Sequence, residues 1–266
     1  MSRSRSAALA LTILCLTASH AQETAAPPLS PEAMEAFLLD ADLSNYRNVD
    51  IGVTGSQRAT ATSGDLTHDV HIQNVDRRQR VAAGEINFRD FHLYNVAAYR
   101  VAVLLGLDNV PMSVRRIVRG QPSAVTWWVD DVAMDEAERD ARRSFGPNPA
   151  ATFQQLYTMY VFDELIKNRD RNQGNVLWTG DWKMWLIDHT RAFRLDDELS
   201  RPELMIRIGA DLLERLRSLT PDELREAVGD SLTGLERGSL MRKRDRLVRH
   251  FDALIEQRGE GAVLIR

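Results

Sequence analysis

Phe162-Asp163-Glu164-Leu165-Ile166-Lys167-Asn168-Arg169-Asp170-Arg171-Asn172-Gln173-Gly174-Asn175-Val176-Leu177 is the stretch on which the reading of this 266-residue chain turns. Residues 152–166 carry Leu156, Met159, Tyr160, Phe162 and Leu165 at helical spacing, so a buried helix delivers a polar loop. Asp170 sits in that loop. Five residues on, Asn175 opens a short apolar strand, 176–178. A turn at Gly180-Asp181 leads to a second strand, 184–187, and Asp188 ends it. This pattern puts Asn175 and Asp188 at the mouth of one hairpin, facing the loop of Asp170. Phosphoryl transfer calls for such a set. A carboxylate orients or deprotonates the attacking hydroxyl, and hard oxygen ligands hold Mg²⁺ against the phosphates. Asp170 takes the first role in this reading; Asn175 and Asp188 are the expected metal ligands.

Working outward, residues 49–129 read strand, strand, helix, strand, strand. The extended runs are 51–54, 58–62 and 66–75, with a turn at Ser63-Gly64-Asp65. A helix over 91–107 follows, stopped by Gly106. Strands at 114–118 and 124–129 flank Arg119-Gly120-Gln121-Pro122. The expected unit is a small α+β lobe with an antiparallel sheet and one helix. Beyond Asp130 the reading is helical apart from the hairpin: 134–143, 152–166, 202–219, 221–228 and 231–257.

The amino terminus reads as a processing segment. Arg3 and Arg5 precede an apolar run over 7–18, and Ser19-His20-Ala21 supplies small residues for cleavage after Ala21. The organisation expected is a signal peptide over 1–21, a linker and helix over 22–48, an N-lobe over 49–129 and a helical C-lobe over 130–266. Such a product is secreted or periplasmic, with no transmembrane segment after signal removal. The single cysteine, Cys15, lies inside the signal, so the processed chain has no thiol chemistry. A net charge of −4 gives no overall basic surface and no argument for nucleic acid as a partner.

Asp170-x-x-x-x-Asn175 followed by Leu186-Ile187-Asp188 resembles the catalytic loop and metal-binding motif of the protein-kinase-like superfamily. The wording Asn168-Arg169-Asp170-Arg171-Asn172 is similar to the PI3/4-kinase, HipA-like and FAM20-like secretory-kinase branches, with Asn172 where their loop has a histidine. The resemblance implies a two-lobed fold with a hinge near Val129-Asp130-Asp131, and ATP with Mg²⁺ or Mn²⁺ as cofactors. Trp128 and Val129 would flank the adenine ring. The acceptor stays open among protein, lipid, sugar and small molecule.

The sequence departs from that family also at the phosphate-binding positions of the N-lobe. Its kinases place a lysine on the N-lobe sheet, held by a helix glutamate. Here the only lysines are Lys167, Lys183 and Lys243. The sheet position falls near His71 and Gln73, and the helix position near Asn95. Arg78 or Arg80 is the expected substitute charge, with Glu85 as a partner. Gly52 and Gly55 make only a thin glycine loop over the phosphates. Arg191 either binds phosphate or pairs with an acid, and His189 either tunes Asp188 or packs beneath it. Two functions follow: an exported atypical phosphotransferase, or an exported pseudokinase that binds nucleotide or protein without catalysis.

Overall fold

The computed structural model describes residues 29–49, 56–78 and 89–266. The expected signal peptide, the strand over 51–54, Gly52, Gly55, Arg80 and Glu85 lie outside them, as does the side chain of Arg78.

The amino-terminal lobe is a five-stranded antiparallel sheet, built from β1 (Asp42–Asn48), β2 (Gln57–Ser63), β3 (Leu66–Gln73), β6 (Ser113–Val118) and β7 (Gln121–Trp127). Their order is β1-β2-β3-β7-β6. Helix α1 (Pro31–Asp40) starts on Ser30, whose hydroxyl accepts from the Ala33 amide, with Pro31 in the first turn. It lays Phe37 and Leu38 on a sheet face made by Ala59, Ala61, Val70, Ile72, Val114 and Val125.

Strand β1 corrects the sequence reading, which gave 22–48 to a linker and helix and began the sheet after 48. A register shift between Ser44 and Arg47 in the β1–β2 pairing removes the period-two signal. Leu43 and Tyr46, three apart, both pack on the same cluster.

A two-stranded ladder of β4 (Asp76–Arg78) and β5 (Arg89–Phe91) leads into α2 (Leu93–Leu104). This helix is apolar nearly all round, because it lies between the sheet and the helical lobe. Its Tyr94 hydroxyl donates to Glu236 of the far lobe.

The second lobe opens with β8 (Val132–Asp135) and α3 (Glu136–Ala141), where the sequence predicted one helix over 134–143. Asp135 explains the error: it ends the strand and its carboxylate caps α3 by accepting from the Glu138 amide. Helix α4 (Pro149–Leu165) is the predicted buried helix, and β9 (Val176–Thr179) and β10 (Met184–Leu186) the predicted hairpin. β8 adds to the free edge of β9.

The helix expected over 202–219 is instead a 3-10 turn (Pro202–Leu204), a short strand β11 (Ile208–Gly209) and α5 (Ala210–Ser218). Ile208 pairs in parallel with Leu264 of β12 (Leu264–Ile265), and Gly209 is the extended residue from which α5 starts. Helices α6 (Pro221–Val228) and α7 (Gly234–Arg258) begin with capping boxes, Thr220 with Glu223 and Thr233 with Glu236. Helix α8 (Glu260–Val263) precedes β12. Among the described residues no helix is long and apolar enough to cross a membrane.

Candidate active site

Between the lobes lies a cavity of about 480 Å³, within the range of small-molecule sites. The sheet contributes Arg58, His71, Ser113 and Thr126; the hinge contributes Trp128 to Val132; the hairpin contributes Asn175, Leu177, Leu186 and Asp188. Trp128 and Val129 thus line the cleft at the hinge. The Arg58 guanidinium lies over the Trp128 ring at 4.1 Å and is held by Asp69.

The hairpin places two of the three motif residues. Val176 pairs with Leu186, and the Ile187 amide donates to the Asn175 carbonyl at 3.1 Å. Asn175 and Asp188 therefore stand beside the last rung, both on the cleft. Asp188 has φ +50°, the left-handed region that aspartate tolerates better than most residues. Its Oδ1 accepts from the Thr190 hydroxyl at 3.1 Å and amide at 3.4 Å, which locks that turn. Two side-chain oxygen donors on the lining of one cleft suit Mg²⁺ or Mn²⁺, cations commonly shared between one or two protein oxygens and substrate phosphates.

Asp170 stands apart from the cleft lining. Its carboxylate, half-exposed, accepts from Arg191 at 2.9 Å, and the same guanidinium bonds buried Asp90 of β5 at 3.1 Å. Sequence reading left Arg191 between phosphate and acid; among the described residues the structure gives it an acid from each lobe.

Arg171, the next residue, went unnoticed because a loop arginine looks solvated. Its side chain is only 5% exposed. It forks onto Asp163 of α4 at 2.9 and 3.0 Å. It also donates to the carbonyls of Asn175 at 2.9 Å and Ile187 at 2.7 Å, and to His189 Nε2 at 3.0 Å. One guanidinium thus ties the helix before the loop to both ends of the hairpin.

On the N-lobe side, the Asn95 amide nitrogen of α2 donates to Gln73 Oε1 of β3 at 2.8 Å. Asn95 Oδ1 accepts the His189 amide at 2.8 Å. A neutral amide pair therefore occupies the sheet-to-helix position where the resemblance calls for lysine and glutamate. Gln73 and Asn95 are both buried, and a pair without charge avoids the desolvation cost of an ion pair.

The three lysines are elsewhere. Lys167 is buried on Glu164 and Ser200, Lys243 donates to the Arg194 carbonyl, and Lys183 pairs with Asp108 on the surface.

His189 and His92 are buried, and burial holds both imidazoles below their usual range; Arg171 adds to the effect at His189, while a bond to the Val75 carbonyl opposes it at His92. The unfolded chain takes up protons at these histidines near pH 6.5, and the folded chain only at lower pH. Stability is therefore complete above that pH and falls below it, at about 1.4 kcal/mol per pH unit for each imidazole kept neutral. Lys243, pushed down to about 7 by burial and Lys167, acts at higher pH. Melting of the free protein between pH 6.5 and 5 reads the histidines, and His189→Gln lowers the proton uptake on unfolding by about one. An unchanged slope in that variant assigns the acid sensitivity to other groups.

No protein-family model matches the chain, and no curated protein matches it in sequence. Solved structures do match in three dimensions. A hydra Fam20 structure determined with sugar superposes with TM-score 0.64 at 13% identity, covering 88% of this chain and 91% of its own. A Golgi casein kinase with Mn/ADP bound gives TM-score 0.66 at 13% identity, covering 88% and 78%. The Helicobacter pylori proinflammatory kinase CtkA gives 0.51 at 10% identity, covering 86% and 99%. The chain has the two-lobed protein-kinase-like fold, as its catalytic-loop wording implied.

Proposed function

We propose that this protein is an exported, atypical kinase-like phosphotransferase that uses ATP and Mg²⁺ or Mn²⁺. The observation that carries the reading is the pairing of Asn175 and Asp188 on the floor of the interlobe cleft, with Asp170 on the adjoining loop. The Golgi casein kinase of like fold, with Mn/ADP bound, supports nucleotide and metal as ligands. The Arg3–Ala21 pattern supports export.

In this reading Trp128 and Val129 flank the adenine at the hinge. Asn175 and Asp188 hold the divalent cation, which supplies positive charge to the phosphate oxygens. Asp170 orients the acceptor hydroxyl and takes its proton. The acceptor oxygen bonds to the γ-phosphorus as the bond from that phosphorus to the β–γ bridging oxygen breaks, and the electron pair leaves with ADP. The loop supplies positioning, which together with electrostatic stabilisation makes up nearly all that a protein contributes to such a transfer.

Melting of the processed protein tests the reading. ADP or ATP with Mg²⁺ or Mn²⁺ raises the melting temperature, and nucleotide with chelator raises it less. No shift under any combination removes nucleotide and metal from the account.

The neutral Gln73–Asn95 pair favours a second reading, a pseudokinase that binds nucleotide without transfer. Labelled ATP separates the two. Self-labelling that Asp170→Asn eliminates excludes the pseudokinase; nucleotide binding without any transfer favours it.

A further inference from the structure

The neutral amide pair leaves open which cation faces the transferred phosphoryl group. None of the three lysines lies at the cleft. Arg58 lines it, but at the hinge end over Trp128. Arg191 stands three residues after Asp188, with its guanidinium on Asp170. Its place in the chain and that ion pair connect the turn after Asp188, the residue assigned to the metal, with Asp170, the residue assigned to the acceptor.

Its anchoring is unusual for a surface ion pair. Asp90 is almost wholly buried, with a side chain 4% exposed, whereas Arg191 is 30% exposed. Among the described residues Asp90 Oδ1 has no hydrogen-bond partner, and Oδ2 accepts from the arginine. The backbone is fixed too: the Phe91 amide donates to the Thr190 carbonyl at 2.9 Å, and the Ala192 amide to the His189 carbonyl at 3.0 Å. A buried acid on the N-lobe thus holds a forked cation beside Asp170.

Resting on the reading above, we propose that Arg191 is a catalytic residue that binds the γ-phosphate of ATP and stabilises charge on it during transfer, and that Asp90 is its positioning residue. A planar guanidinium with several N–H groups can keep Asp90 while turning another edge to phosphate oxygens. Arginines supplied to a transferring phosphoryl group elsewhere are worth about 10³-fold or more in rate. The nucleotide then displaces part of the Arg191–Asp170 contact, which frees the Asp170 carboxylate for the acceptor at the moment ATP arrives.

The test compares Mg·ATP with Mg·ADP, in affinity and in release of labelled γ-phosphate. Arg191→Ala should weaken ATP about 10-fold while ADP stays within about 2-fold, and lower the rate constant about 10³-fold. Asp90→Asn keeps the guanidinium but loosens it, and should reduce the rate while leaving ADP affinity intact. Should Arg191→Ala destabilise the fold, Arg191→Lys keeps the charge without the fork and still predicts a loss of ATP-over-ADP preference. Variants that retain the wild-type preference and rate overturn the proposal, as does loss of that preference in Arg58→Ala alone. Wild-type protein that binds neither nucleotide overturns the phosphotransferase reading itself, so the two failures are distinct.

Discussion

Asp188→Ala removes the metal-dependent part of nucleotide binding. At a nucleotide concentration of 100 Kd the wild-type protein gains about 2.7 kcal/mol. For a folded unit of this size each kcal/mol is worth roughly 2–4 °C, so Mg·ADP raises the melting temperature by about 5–10 °C. The variant keeps only the shift that nucleotide gives with chelator. Alanine also disturbs the backbone, because Asp188 sits at φ +50° and its carboxylate holds Thr190. Asp188→Asn separates the effects: asparagine tolerates the left-handed region and still accepts from Thr190, yet carries no charge for the cation. The expected result is a near wild-type melting temperature for free Asp188→Asn and the same loss of the metal-dependent shift. If Asp188→Asn keeps that shift, Asp188 does not hold the metal.

The geometry behind this expectation was readable because it rests on local chain chemistry. A helix of apolar period, a polar loop and two short apolar runs, 176–178 and 184–187, fix where Asn175 and Asp188 fall, since a hairpin brings its two ends together. The sheet-to-helix pair was half readable. Position counting left His71 and Gln73 on the sheet and led to Asn95 on the helix, and the 2.8 Å contact of Asn95 with Gln73 shows an amide pair there. Arg171 and Asp90 were not readable at all. Both earn their place by burial against distant segments, and nothing in the local sequence distinguishes a buried arginine from a solvated one. Strand β1 was lost for a different reason: a bulge at an exposed edge erases the alternation by which strands are recognised.

Arg171→Met is the substitution expected to damage the fold most. The arginine and Asp163 are 5% and 8% exposed, so the pair is desolvated on both sides. Removing the cation leaves the Asp163 carboxylate buried, with Asn168 at 3.3 Å as its remaining side-chain donor among the described residues. It also takes the donor from the Ile187 carbonyl and from His189 Nε2. Breaking one side of a buried pair costs about 3–5 kcal/mol, which at the scale above lowers the melting temperature by roughly 6–20 °C. The cost comes mainly from the stranded charge, and this gives the control. Asp163→Asn combined with Arg171→Met carries no buried charge, so it should recover part of the loss despite being the larger change. It should not recover metal-dependent nucleotide binding, because neither side chain then ties α4 to the Asn175 and Ile187 carbonyls that hold the mouth of the hairpin. A double variant less stable than Arg171→Met would show that the bonds to the hairpin, rather than the neutralisation of Asp163, are what Arg171 contributes.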